Sequence, residues 1–213
     1  MAPLPQLLTG TLLPPPGTPG AAAEAHHRIA NNLQLVSALI TGELRGLEDA
    51  GARDALYRTQ ARISAIAGVH RMLQGVDDEA ELDLGAFLAT LCHRFGQTLP
   101  DHRRLHVSAD PVQIAGQSVS LISVVTIELI MNAAKHAYGA VEPGDIHVTL
   151  RKTGPSGLRL AVEDHGTGPR QMDGSGLGSI LIEATLRQLG GQARWENARP
   201  GLRVVLQMSP GRR

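Results

Sequence analysis

Along residues 21–47 the apolar side chains Ile29, Leu33, Val36, Ile40, Leu44 and Leu47 recur at alternating spacings of three and four. That spacing keeps them on one stripe of a 3.6-residue helix, so the segment is expected to be a long amphipathic helix. Glu48, Asp49, Ala50 and Gly51 supply a stop. The same spacing returns at Leu56, Thr59, Ile63, Ile66, His70 and Leu73, which predicts a second helix and hence a hairpin. Two such helices leave much of their apolar stripes uncovered. Pairing with a second copy as a four-helix bundle covers them, so a homodimer through the hairpin is expected.

Residues 75–81 are short, acidic and aperiodic, and are expected to link this unit to a second one. Asp83 is placed to cap a helix through about Phe95, and residues 104–109 alternate like a strand. After Asp110 and Pro111 a long helix carries Val119, Ile122, Val125, Ile127, Leu129, Ile130 and Ala133 and ends near Tyr138. Residues 146–150 and 158–163 alternate apolar and polar positions around a Gly-Pro-Ser-Gly turn. A glycine-rich loop follows, then a helix over 177–189 closed by Gly190 and Gly191, and strands over 193–196 and 202–208. Hairpins mixed with helices predict an α+β class, a sheet covered on one face by helices. The expected units are a tail over 1–20, a helical unit over 21–76 and an α/β sandwich over 82–210.

A chain of 213 residues has room for one substantial core and a smaller element. Its 20 lysines and arginines balance 20 aspartates and glutamates, so no overall field attracts nucleic acid or anionic lipid, and any polyanion site must be local. Cys92 is the single cysteine and lies in an apolar helical pattern, which predicts a buried thiol. Residues 1–20 are rich in proline and glycine and lack a basic start, so neither a signal peptide nor an anchor is expected there. No later apolar run is expected to reach the roughly 20 residues that span a bilayer, and a cytoplasmic protein without membrane insertion is predicted.

Three segments carry candidate chemistry. Glu128, Asn132 and Lys135 follow one another at spacings of four and three on the long helix, so they project from one face. A carboxylate, an amide oxygen and an ammonium so aligned suit magnesium and phosphate oxygens, and they equally suit a solvated polar face. Asp164 ends a strand and is followed by Gly166 and Gly168, where a carboxylate can accept from an exocyclic amine and the glycines allow a ligand to approach; the same residues also make an ordinary turn. Gly174, Gly176 and Gly178 precede or open a helix, where free backbone amides favour phosphate.

In this order the three segments resemble the N, G1 and G2 boxes of the GHKL ATPases. The resemblance implies a GHKL α/β sandwich that binds ATP and Mg2+, with metal held at Asn132 and Glu128, adenine read by Asp164, and the nucleotide lined by Gly166, Gly168, Gly174, Gly176 and Gly178. The N-terminal hairpin resembles the H-box of the HWE-related histidine kinases, because Glu24, His26, His27, Arg28, Asn31, Asn32 and Gln34 match Glu-x-His-His-Arg-x-Lys-Asn-Asn-Leu-Gln. The resemblance implies a two-component histidine kinase that phosphorylates its own histidine from ATP and passes the phosphoryl group to a response-regulator receiver aspartate, with a separate sensory protein upstream. At about 100° per residue His26 falls at the edge of the apolar stripe and His27 turns to solvent, so His27 is the expected acceptor. Lys135 is expected to offset charge on the phosphoryl group, Asn31 to accompany the acceptor, and Glu24 to hold the second ring nitrogen of His27.

The sequence departs from the family pattern at three places. Ala30 stands where a lysine is usual, His165 stands where an asparagine follows the G1 aspartate, and only residues 169–173 separate Gly168 from the G2 glycines. A phosphotransfer protein or docking partner with a degenerate ATP site is the alternative these departures favour. A GHKL anti-sigma serine kinase ranks last, since it leaves the H-box unexplained.

Overall fold

The computed structural model describes residues 21–167 and 177–210. Helix α1 (Ala21–Leu44) and helix α2 (Ala50–Met72) open it. Asp49 caps α2 by accepting from the Ala52 amide at 2.6 Å. Ser37 Oγ lies 3.2 Å from Ser64 Oγ, and Gln60 Nε2 donates to Thr41 Oγ1 at 2.6 Å, so residue numbers rise along one helix as they fall along the other. The two helices therefore pack antiparallel. α1 ends at Leu44, three residues before the expected limit, in a turn at Arg45 and Gly46.

The apolar stripe of α1 is only half covered. Leu44 is buried and Leu33 and Ile40 are half-buried, but Ile29 and Val36 are 39% and 41% exposed, and Leu35 and Leu39 are each 63% exposed. One partner helix shields only the side of α1 that faces it.

The remaining elements are β1 (Glu81–Asp83), α3 (Leu84–Gly96), β2 (Arg103–Ala109), β3 (Gln113–Ala115), α4 (Gly116–His136), β4 (Gly144–Lys152), β5 (Leu158–Asp164), α5 (Leu177–Gln188), β6 (Gln192–Asn197) and β7 (Leu202–Met208). Five strands form one mixed sheet in the order β2-β4-β5-β7-β6, in which β2 and β4 run parallel and the other neighbours antiparallel. Along β4, Ile146, Val148 and Leu150 are buried while His147, Thr149 and Arg151 on the opposite face are half-exposed. One face of the sheet thus carries the core, with α3 against β2, α4 against β4 and β5, and α5 against β6.

The short pair β1–β3 was not anticipated by the pattern, because three residues each, separated by α3 and β2, carry no local period. It brings Asp83 beside Val112. The Asp83 carboxylate accepts from the amides of Gly85 and Ala86 at the start of α3 and from Val112 at 3.2 Å. Asp83→Ala removes the cap and strands the Val112 amide, so a loss of about 1–2 kcal/mol is expected in urea denaturation. A loss under about 0.3 kcal/mol would show that the cap is redundant.

α4 corrects one expectation. At 21 residues it is long and apolar enough to cross a membrane by length and composition, but Val119, Ile122, Ile127 and Ile130 are buried at the centre of the core. It is the core helix of the sheet unit. Cys92 on α3 is buried as expected, and burial pushes its thiol up to about 12.

Candidate functional site

The first turns of α1 set two adjacent histidines in opposite surroundings. His26 is 6% exposed, while His27 is exposed. His27 lies against the Asn31 amide one turn on, with Nδ2 at 3.4 and 3.5 Å from its ring nitrogens. Glu24, expected beside His27, is engaged instead by Arg28, whose Nε donates to Glu24 Oε1 at 3.1 Å; an i,i+4 pair holds the carboxylate on its own side of the helix. Ala30 is wholly buried, so the position of the missing lysine faces the protein interior.

On α4 the three polar residues share a face, as their spacing requires, but meet different surroundings. Glu128 is 1% exposed and its Oε2 accepts from Arg62 Nε of α2 at 3.0 Å. Burial pushes the Glu128 carboxyl above its ordinary value, and the Arg62 guanidinium beside it only partly offsets this. One turn on, Asn132 is half-buried and Lys135 is exposed. Together with Arg58 and Arg62 of α2 they line a cleft of about 760 Å³, with Phe95 and Met131 among its apolar walls. Desolvation first, then the nearby charges of Arg58 and Arg62, hold the Lys135 ammonium below its usual range. This concentration of cations suits an anion at the α2–α4 boundary.

Asp164 closes β5 and is buried. Its Oδ1 accepts from the amides of Gly166 and Leu202, each at 3.2 Å, so two backbone segments fix the carboxylate. Gly166 sits so close to the end of α4 that a Cβ there would lie 1.8 Å from the Ala137 carbonyl oxygen. Only glycine permits that approach. It joins the Asp164 loop directly to the helix that carries Asn132 and Lys135. His165, in the usual asparagine position, is exposed and lies 3.2 Å from Glu163 Oε1.

Two further residues hold this junction together, and no local sequence pattern singles them out. Arg103 is buried and donates to the carbonyls of Ala134, Gly139 and Glu142, placing a cation on the C-terminal end of α4, where the helix dipole favours it. The Tyr138 hydroxyl donates to the Asp145 carbonyl at 2.6 Å and accepts from the His165 amide at 2.9 Å. Neither residue belongs to a periodic pattern; the only sequence signal was a tyrosine just past the end of the polar helix face. Gly168, Gly174, Gly176 and the short loop 169–173 lie outside the described residues, as does the tail 1–20, and Gly178 falls in the first turn of α5. Among the described residues no group of three histidine, cysteine or carboxylate side chains is arranged to hold a metal.

The histidine kinase family profile matches residues 24–99. The chain is 31% identical over 209 residues to the sensor histidine kinase PdtaS of Mycobacterium tuberculosis, an alignment covering 89% of this chain and 39% of PdtaS. It is 23% identical over 181 residues to blue-light-activated histidine kinase 2 of Erythrobacter litoralis, covering 80% of this chain and 51% of that protein. The chain thus spans about two-fifths to one-half of the length of these relatives. Among solved structures, the histidine kinase domain of the Erythrobacter litoralis EL346 blue-light activated histidine kinase superposes with a TM-score of 0.62 at 22% identity, over 88% of this chain and 90% of that one. That superposition shows the fold, while the family profile and the sequence matches show that the chain belongs to the histidine kinase family.

Proposed function

We propose that this chain is the kinase portion of a two-component system, phosphorylating His27 from ATP and passing the phosphoryl group to a receiver aspartate of a response regulator. The observation that carries the reading is the contact of Gly166 with the Ala137 carbonyl, which sets the Asp164 loop on the same helix as Asn132 and Lys135. Residues suited to adenine and to phosphate then flank one path. In the reaction the unprotonated ring nitrogen of His27 attacks the γ-phosphorus, an N–P bond forms, the bond to the β–γ bridging oxygen breaks with its electron pair leaving on ADP, and the proton on the other ring nitrogen passes to the solvent that reaches this exposed side chain. Asp164 orients the adenine amine, and Lys135 offsets charge on the phosphoryl oxygens. Asn132 offers the amide oxygen that magnesium accepts, while Glu128 could join it only after Arg62 withdraws; magnesium supplies charge neutralisation when bound.

The exposed residues Ile29, Leu35, Val36 and Leu39 on α1 support a homodimer, since a second α1–α2 pair would cover them in a four-helix bundle. One observation favours a second reading, a phosphotransfer protein that does not use ATP: the Glu128 carboxylate is already committed to Arg62. Incubation with γ-labelled ATP and Mg2+ separates the two. Acid-labile label is expected, and Asn132→Ala should lower it about 100-fold or more while the dimer persists. Absence of label with nucleotide bound would support the phosphotransfer reading.

A further inference from the structure

His26 belongs to a different environment from His27, and both its ring nitrogens are engaged. Nδ1 lies 2.8 Å from Nδ1 of His70 in the last turn of α2, and Nε2 lies 3.3 Å from Asp78 Oδ1 in the segment between α2 and β1. A carboxylate can only accept, so the proton of neutral His26 belongs on Nε2, which leaves Nδ1 to accept from His70 Nδ1–H. The direction of donation therefore runs from His70 through His26 to Asp78. Three segments meet at one buried imidazole.

Asp78 is itself fastened to α4. Its carbonyl accepts from the Gln117 amide at 3.1 Å, and the Ala80 carbonyl accepts from the Gly116 amide at 3.0 Å. A side chain at Gly116 would come within 2.9 Å of the Asp77 carbonyl, so the segment lies tightly over the start of the helix. These carbonyls satisfy the first amides of α4, whose N-cap residue, Ala115, makes no side-chain cap bond. Asn132 lies on the same rigid helix, about 22 Å further on at 1.5 Å per residue.

We propose that His26 is a positioning residue, which with His70 and Asp78 fixes the turn bearing His27 to the first turn of α4 and so sets acceptor and ATP-binding helix in a common frame. The inference rests on the reading of His27 as acceptor. A histidine that merely filled the core would contribute to stability without favouring this coupling.

The test uses the full chain with Mg2+ and ATP, and the variants His26→Ala, Asp78→Ala, their double, His26→Gln and His27→Gln. His26→Ala and Asp78→Ala should each slow labelling at saturating ATP about tenfold with KM for ATP unchanged, because orientation rather than binding is lost. The double variant should be no slower than the slower single, and His26→Gln, which keeps one donor and one acceptor, should regain at least about half the rate. Hydrogen exchange gives a readout independent of activity: the Gln117 amide should exchange about tenfold faster in both alanine variants, with β4 and β5 unchanged. Additive rate losses, a parallel rise in KM, or unaltered Gln117 exchange would overturn the proposal. Absence of label in the wild type alongside faster Gln117 exchange would sink the kinase reading and leave the coupling standing. Label that survives in His27→Gln and vanishes in His26→Ala would make His26 the acceptor and overturn it.

Discussion

Gly201→Ala is expected to destabilise the protein by about 3–5 kcal/mol, from overpacking plus a positive φ that alanine tolerates poorly. Gly201 has φ +101, and a Cβ there would lie 1.8 Å from the Asp164 carbonyl oxygen and 2.7 Å from the His165 Cα. Neither neighbour can yield, since both are backbone. The adjacent Leu202 amide donates to Asp164 Oδ1, so the displacement would also turn the carboxylate proposed to read adenine. At this chain length the loss corresponds to a melting temperature lower by about 10 °C. Gly42→Ala is the control, since a Cβ at Gly42 meets nothing within 4 Å and the residue lies inside α1. It should stabilise by up to about 1 kcal/mol. Equal melting of Gly201→Ala and wild type would show that the β5–β7 junction is looser than described.

Arg62→Ala carries the second large effect. It leaves the Glu128 carboxylate buried without the guanidinium, which is expected to cost about 3–5 kcal/mol. Adding Glu128→Gln removes the stranded charge and should recover more than half of the loss, so a double-mutant cycle isolates the pair. The pH dependence follows from the direction of the Glu128 shift. Its folded carboxyl binds its proton above the ordinary value of 4.5, so the folded state holds more protons than the unfolded one over that interval. Stability from this group is therefore full below the unfolded value and falls as pH rises through the folded one. Without Arg62 the folded value rises further, and the deficit of Arg62→Ala relative to wild type should shrink as pH is lowered from 7 toward 5. A deficit independent of pH would mean that the carboxylate reaches water once Arg62 is gone.

The parts of this fold that were legible in the sequence are those with local causes. Asp83 announced α3 because a capping carboxylate acts within three residues, and β7 was readable over 202–208 because a short β-branched and apolar run, Val204 to Leu206, follows the Pro200-Gly201 turn. The separation of His26 from His27 followed from helical rotation alone, and the structure buries the first and exposes the second. What escaped depends on residues distant in the chain. The Arg62–Glu128 pair spans 66 positions, the Arg103 contacts span 31 to 39, and β1–β3 pairing is too short to leave a period. The pairing of Glu24 with Arg28 escaped for a different reason. Two candidate partners, His27 and Arg28, lay within a turn, and the guanidinium four residues on shares the helix face of the carboxylate.

In the proposed reaction His27 receives phosphate from ATP. Mapping the phosphoryl group by mass spectrometry, under neutral conditions that preserve phosphohistidine, tests it directly after incubation with ATP and Mg2+. A single phosphoryl group on His27, absent when Asn132 is replaced by alanine, is the predicted result; a group on His26 or on a hydroxyl side chain, or a mass unchanged by ATP, would contradict it.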